Sequence, residues 1–334
     1  MTITSSEPVA RPVRARRAIW HVLLWLLVLP GAAWVVVRLC GWERSLLVQL
    51  LAFTPYVAAW SVLAALLAVV SRRWTVAAVA TVTAVLFAIA VLPRVIPDGD
   101  KGPQSGVKLH VMTSNMLFGG ADAAQLVRLV RDNDVSVLAV QEFTAEAQAN
   151  LAAAGLGDLL PYSSLAPEPG ATGSGLYSRF PLASAGVQRN GAGWRFNQAY
   201  GTIQPAGAIA VQMESAHPAA PSALSVIDDW REDLAAEPRA DDGKGPRILL
   251  GDFNSTLDHQ PLRDLIGSGY RDAAAATGSG LVPTWGPYDG DPIPPVTIDH
   301  VLVDKRLGVV SASAHTIKDS DHRAVIAEVV LPAA

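Results

Sequence analysis

Six short polar motifs, each beside a strand-like run, hold the residue types that phosphate chemistry uses. Asn115 follows the run 107–114, Glu142 follows 135–141, and His217 comes a few residues after the run 206–213. Asp252 and Asn254 follow 247–251, Asp299 and His300 open 298–303, and Asp321 and His322 precede 324–331. Carboxylates and amide oxygens are hard ligands suited to Mg²⁺ or Mn²⁺. Magnesium takes one or two protein carboxylates and keeps positions for water and phosphate. An imidazole paired with an aspartate serves as an oriented base or acid. The set therefore suits metal-assisted hydrolysis of a phosphate ester or anhydride. A zinc protease is disfavoured because there is no HExxH helix pair, and a serine hydrolase because there is no GxSxG elbow.

Plainer readings stand beside these. Asp252 and Asn254 could serve only as turn-forming Asx residues. Asn115 could cap a turn, Glu142 could favour a helix dipole, and His217, in the loop SAHPAAP, could be a surface histidine. His300 is read as pointing into packing behind the site, and His110, His259 and His315 as solvated or structural. Arg179, Trp194, Arg195 and Trp285 sit in loops, where they could touch substrate or simply pack.

The elements that must position these residues alternate between strand and helix. Strands are expected at 107–114, 135–140, 175–178, 206–213, 247–250, 298–303, 309–315 and 324–331. A helix at 121–133 carries Leu126, Leu129 and Val130 at helical spacing. Ser222 reads as the N-cap of a helix running to about 236, and Pro261 falls in the first turn of the next. The Ala-, Gly- and Pro-rich stretches 215–223 and 273–295 read as loops. The order argues for an α/β core of packed sheet with helices outside.

The chain has 334 residues, 50% of them hydrophobic, a formal net charge of -4 and one cysteine, Cys40, so no intrachain disulfide forms. Neither the net charge nor any lysine/arginine cluster supplies the basic field that nucleic acid attracts. The apolar excess lies in the first hundred residues, where 18–37, 46–70 and 75–93 are each long enough to span a bilayer as a helix. Two further spans after the first argue against a cleaved signal peptide. Arg11, Arg14, Arg16 and Arg17 before the first span, and Arg72 and Arg73 between the second and third, place those segments on the cytoplasmic side. The expected layout is a cytoplasmic tail 1–17, three transmembrane helices within 18–96, a linker 97–106 and an external domain 107–334. The chain would thus be a multi-pass protein of a bacterial cell membrane.

The motifs Ser114-Asn115, Gln141-Glu142, His217, Gly251-Asp-Phe-Asn254, Ile298-Asp-His300 and Ser320-Asp-His322 resemble, in order and wording, the endonuclease/exonuclease/phosphatase superfamily of DNase I-like enzymes. The resemblance covers roughly 107–333 and implies a four-layer α/β sandwich of two packed sheets and a Mg²⁺-dependent hydrolase. It implies that Glu142 is the principal metal carboxylate with Asn115 beside it, and that Asp321 helps with metal or holds its loop. It further implies that His322 lies near the attacking water, that Asp299 orients His322, and that Asp252 positions or deprotonates the water. Asn254 would donate to a phosphate oxygen, and His217 would contact the phosphoryl group. The overall layout resembles the membrane proteins of VanJ type that give teicoplanin resistance. That resemblance implies a lipid-linked substrate, undecaprenyl pyrophosphate, hydrolysed at the outer face. An extracytoplasmic endonuclease or phosphodiesterase, and a non-catalytic membrane sensor, are the alternatives.

Overall fold

A computed structural model of the chain describes residues 11–99, 101–189, 196–286 and 292–334. The N-terminal region forms helices α1 (Arg11–Cys40), α2 (Leu46–Leu51), α3 (Thr54–Val70) and α4 (Trp74–Val91). Helices α1, α3 and α4 belong to one compact unit, whereas Glu43–Phe53, with α2, belongs to a second unit together with Leu92–Ala334.

Within the first unit, Leu24, Val28, Ala64, Ala68, Val76 and Ala80 pack together. Small residues let helix backbones approach closely. The outward faces stay apolar, with Leu26, Leu63, Val70 and Ile89 all exposed. Two helical stretches, Ala15–Cys40 and Trp74–Val95, are long and apolar enough to cross a membrane. Helix α3 is apolar but has 17 residues. It rises about 26 Å, short of the ~30 Å hydrocarbon core. The expectation of one helix over 46–70 is therefore corrected: the run breaks into α2 and α3. Pro55 supplies the reason, since it lacks the N–H that would bond to the Leu51 carbonyl and its ring clashes with that carbonyl.

The second unit adds, in chain order, β1 (Val107–Asn115), α5 (Ala123–Asp132), β2 (Val135–Gln141), α6 (Ala145–Ala153), α7 (Leu156–Leu159), β3 (Tyr162–Ala166), β4 (Ser174–Ser178), β5 (Ala183–Arg189) and β6 (Asn197–Ile203). It continues with β7 (Val211–Ala216), α8 (Ile227–Ala236), β8 (Arg247–Asp252), α9 (Gln260–Gly267), β9 (Tyr270–Asp272), α10 (Ala273–Ala276), β10 (Asp299–Asp304), β11 (Gly308–Thr316) and β12 (Arg323–Leu331). The strands form two six-stranded sheets, ordered β11-β12-β1-β2-β4-β3 and β5-β6-β7-β8-β10-β9.

Four layers follow from where the apolar side chains point. Val111, Val137, Leu176, Met213, Leu250, Val301 and Val325 fill the space between the sheets. On the first sheet's outer face, Met112, Leu138 and Ile326 meet Leu126 and Val130 of α5 and Leu151 of α6. On the second sheet's outer face, Leu249 and Leu302 meet Trp230 and Leu234 of α8 and Leu262 of α9. This is a mixed α/β sandwich of two sheets, consistent with a DNase I-like fold.

The expected strand at 206–213 is shifted to β7, and the helix expected from Ser222 begins at Ile227 after a short 3₁₀ turn, Leu224–Val226. The stretch 273–295 opens with α10, whose N-cap Asp272 accepts a hydrogen bond from the Ala275 N–H. The linker is held against the sandwich, with the Asp98 N–H donating to the Ala276 carbonyl and the Val309 N–H to that of Lys101.

Candidate active site

Strand direction gathers the polar residues at one end of both sheets. β1 and β2 are parallel with Asn115 opposite Gln141, so both present their C-terminal ends together. β12 is antiparallel to β1, so its start, just after His322, lies at that same end. In the second sheet β7 and β8 are parallel, and β10 runs against β8 with Asp299 opposite Asp252. A Cβ on Gly251 would lie 1.8 Å from the Ala216 carbonyl oxygen. Only glycine permits that approach, which places His217 beside Asp252.

Asn115, fully buried, bridges two carboxylates: its Nδ2 donates to Glu142 Oε1 at 3.1 Å and to Asp252 Oδ2 at 3.1 Å. Its Oδ1 accepts the Leu117 N–H at 2.9 Å. The Phe118 N–H donates to Glu142 Oε2 at 2.7 Å. Glu142, Leu117, Phe118 and Asn254 all have positive φ, between 44° and 53°. Such strain in non-glycine residues persists where the surroundings over-determine it, and it clusters at functional sites. Burial pushes the Glu142 pKa up, partly opposed by the Phe118 and Asn115 hydrogen bonds.

The second half of the site is an Asp–His–Asp arrangement. His322 Nδ1 lies 2.9 Å from Asp299 Oδ2, and its Nε2 lies 3.7 Å from Asp252 Oδ2. Burial alone would lower the His322 pKa, but the charges of Asp299 and Asp252 prevail and raise it to about 10. Burial raises Asp252 to about 7, with the His322 charge pulling the other way. His217 behaves oppositely. It is buried, with its ring edge-on to Phe196 at 4.7 Å and its Nε2 3.7 Å from Asp252 Oδ2. Burial, then the His322 charge, lowers its pKa to about 3, so it stays neutral. The plainer reading of a surface histidine is thereby excluded.

Two neighbouring donor sets emerge. Single ligand atoms of Asp252, Asp299 and His322 lie within 4.8 Å of one another. Glu142 and Asp321 are carboxylates close enough for their charges to interact, while Asn115 turns its Nδ2 toward Glu142 and its Oδ1 to the Leu117 N–H. Trp285 Nε1 donates to Asp321 Oδ2 at 2.8 Å, while the buried Asp321 Oδ1 has no hydrogen-bond partner among the described residues. A buried carboxylate oxygen of that kind calls for a partner, and a divalent cation, for which carboxylates are hard ligands, would suit it.

Asn254 Nδ2 donates to the Pro218 carbonyl at 3.0 Å, which uses one of its two amide hydrogens. His300 sits behind the site, bonded to Asp272 Oδ2 at 2.7 Å and the Ser255 carbonyl at 2.9 Å. His259 is buried too: it accepts the Thr256 N–H through Nδ1, so its Nε2 donates to the Val48 carbonyl. Arg179 pairs with Asp134 beside the start of β2, at the sheet end opposite the site. Trp194 and Arg195 lie outside the described residues.

The sequence reading missed several supporting groups. Thr284 Oγ1 accepts the N–H groups of both Ile298 and Asp299 at 3.0 Å, and Ser320 Oγ donates to the Asn115 carbonyl while accepting the His322 N–H. Ser320 was visible only as the first letter of its motif, and Thr284 gave no signal. Also missed was the cavity of 500 Å³ onto which Glu142, His217, Asp252, Asn254, Asp321 and His322 open.

Solved structures share the architecture. An endonuclease/exonuclease/phosphatase from Beutenbergia cavernae superposes with a TM-score of 0.54 at 19% identity, over 67% of this chain and 72% of that one. The mannosyl-6-phosphatase Bt3783 of Bacteroides thetaiotaomicron gives 0.51 at 16%, over 67% and 100%. A humanized TDP2 of D. rerio gives 0.53 at 14%, over 66% and 98%. At these identities the likeness is one of fold. A search of curated proteins returned no match. The model of the endonuclease/exonuclease/phosphatase family matches residues 112–322, from within β1 to His322. The chain belongs to the endonuclease/exonuclease/phosphatase family.

Proposed function

We propose that this protein is a Mg²⁺-dependent phosphohydrolase anchored in a bacterial membrane, acting at the outer face on a lipid-linked pyrophosphate. Undecaprenyl pyrophosphate is the substrate that the VanJ-like layout favours, with glycopeptide resistance as one consequence. The observation that carries the hydrolase reading is the convergence, from the ends of five strands, of Glu142, Asp252 and His322 on one cavity, with Asn115 and Asp299 hydrogen-bonded to them. Glu142, Asn115 and Asp321 would hold the cation, which supplies charge stabilisation at the phosphoryl oxygens when bound. Asp252, with a pKa of about 7, is matched to take a proton from water at neutral pH. Asp299 holds His322 by its Nδ1, so that Nε2 faces Asp252. Neutral His217 faces the same carboxylate oxygen, placed to contact the phosphoryl group.

Membrane anchorage is supported by the exposed apolar faces of α1, α3 and α4. The arginine-rich tail and the Arg72-Arg73 turn then fall inside and the sandwich outside. A tether of this kind raises the effective concentration of a membrane-borne substrate. The test is phosphate release from undecaprenyl pyrophosphate by full-length, detergent-solubilised protein with Mg²⁺, with Glu142→Ala protein and plasmid DNA in parallel. Release that disappears in the variant, with DNA intact, supports the reading. Nicked DNA without release makes the protein an extracytoplasmic nuclease, and full complementation by a Glu142→Ala, His322→Ala double variant makes it a non-catalytic sensor.

A further inference from the structure

The segment Glu43–Phe53 reads, in the sequence, as connector and membrane helix. In the structure it is a fixed part of the second unit. Val48 is fully buried, in one cluster with Trp230, Phe253 and Leu262. Four polar contacts hold the segment in place. The Glu43 carboxylate accepts the Gln260 N–H at 2.5 Å, and Arg231 donates to the Glu43 carbonyl at 2.6 Å. Gln49 Nε2 donates to the Pro221 carbonyl, and His259 Nε2 to that of Val48, both at 2.8 Å. An eleven-residue stretch anchored at so many points is a wall rather than a linker.

That wall faces the active site. Gln49, Ala52 and Phe53 line the 500 Å³ cavity, and Phe118 and Phe196 line it with them, alongside the catalytic Asp252 and His322. A volume in the range of about 300–1,000 Å³ suits a drug-sized ligand, far more than a phosphate group needs. Among the described lining residues there is no lysine or arginine, the residues a polynucleotide backbone requires. In the chain, Phe53 is followed directly by Thr54, the first residue of the apolar helix α3. We infer that Glu43–Phe53 is a specificity element: Ala52 and Phe53, with Phe118 and Phe196, receive the apolar chain carried by the substrate's phosphate. This rests on the phosphohydrolase reading above and names the group that the site selects.

The test uses the full-length protein in nanodiscs with dimethylallyl, geranyl and farnesyl pyrophosphate, which carry five, ten and fifteen carbons. Each buried methylene favours the longer chain, so kcat/KM should rise by at least about tenfold, and up to about 10³-fold for full burial, per five-carbon step. Ala52→Trp narrows the cavity and Phe53→Ser removes apolar contact. Both should flatten that rise to under about threefold in total. Equal rates for all three chains in wild type, or an equal drop for all three in both variants, would overturn the inference. Binding is measured separately by tryptophan fluorescence in a Glu142→Ala background. If wild type releases no phosphate yet affinity rises with chain length and Ala52→Trp abolishes the rise, the wall stands and the lipid-pyrophosphatase reading falls. If affinity ignores chain length, the wall falls.

Discussion

Two buried ionisable clusters share the second sheet and differ in almost every respect that matters for chemistry. At the strand ends, Asp252 and Asp299 interleave with His322, His217 and Asn115, and the group opens on a cavity. On the same sheet, toward α8, Glu214 of β7 and Glu237 are as deeply buried, with Asp233 and Arg247 nearby. None of these four lines the cavity. Their hydrogen-bond partners are neutral amides: Gln188 donates to Glu214, and Gln198 donates to Glu237 at 2.7 Å. Burial raises Glu214 to about 7 and lifts Glu237 well above the normal carboxylate range. A displaced carboxylate pKa therefore does not by itself mark a site. What separates the clusters is an imidazole of opposite tendency and an opening to substrate.

The sharpest break of the comparison is to remove a group from the strand-end cluster. His322→Ala and Glu142→Ala should each lower kcat by about 10³-fold or more while the thermal transition moves little, since acid–base and electrostatic contributions are typically of this size. EDTA should abolish wild-type turnover, and Mg²⁺ should restore it. A variant that keeps a tenth of wild-type activity would detach the cluster from catalysis. Asp299→Asn should have a smaller effect, about 10²-fold in kcat with KM nearly unchanged, because the amide still reaches His322 but no longer supports its charge. An equal loss in KM alone would make Asp299 a binding residue.

Legibility in the sequence followed the same division. β2, β8, β10 and β12 carry nearly continuous apolar runs and β1 alternates, and the polar residue that ends or begins each stood out against it. β5 is exposed along most of its length and β6 is largely polar, so neither gave an apolar run to read. Their polar side chains include the amides that serve Glu214 and Glu237, which is why the second cluster left no trace. His217 looked like part of a loose loop because nothing local reveals the approach at Gly251 or the face of Phe196. α2 was hidden for a different reason. A leucine-rich turn buried on a protein core and one buried in lipid have the same composition, and Pro55 reads as tolerable within a membrane helix.

The smallest expected effect tests the second cluster. In the unfolded chain Glu214 titrates near the ordinary glutamate value of 4.5, and in the folded protein near 7. Between these values the native state binds more protons than the unfolded one, so stability falls as pH rises through that window. Its contribution is fully present below about pH 4.5 and is lost above about pH 7. Glu214→Gln keeps the shape and the capacity to meet Gln188 while removing the titration. At pH 8 the variant should melt about 2–4 °C higher for each kcal/mol of relieved penalty, and its melting temperature should depend less on pH between 5 and 8. At pH 4.5 the two proteins should melt alike. The measurement is thermal unfolding of the full-length protein in detergent, followed by tryptophan fluorescence at the three pH values. A lower melting temperature at pH 8 would mean that Glu214 is ionised and stabilised by Arg247. The second cluster would then be an ion-pair network, and the contrast with the strand-end site would rest on the cavity alone.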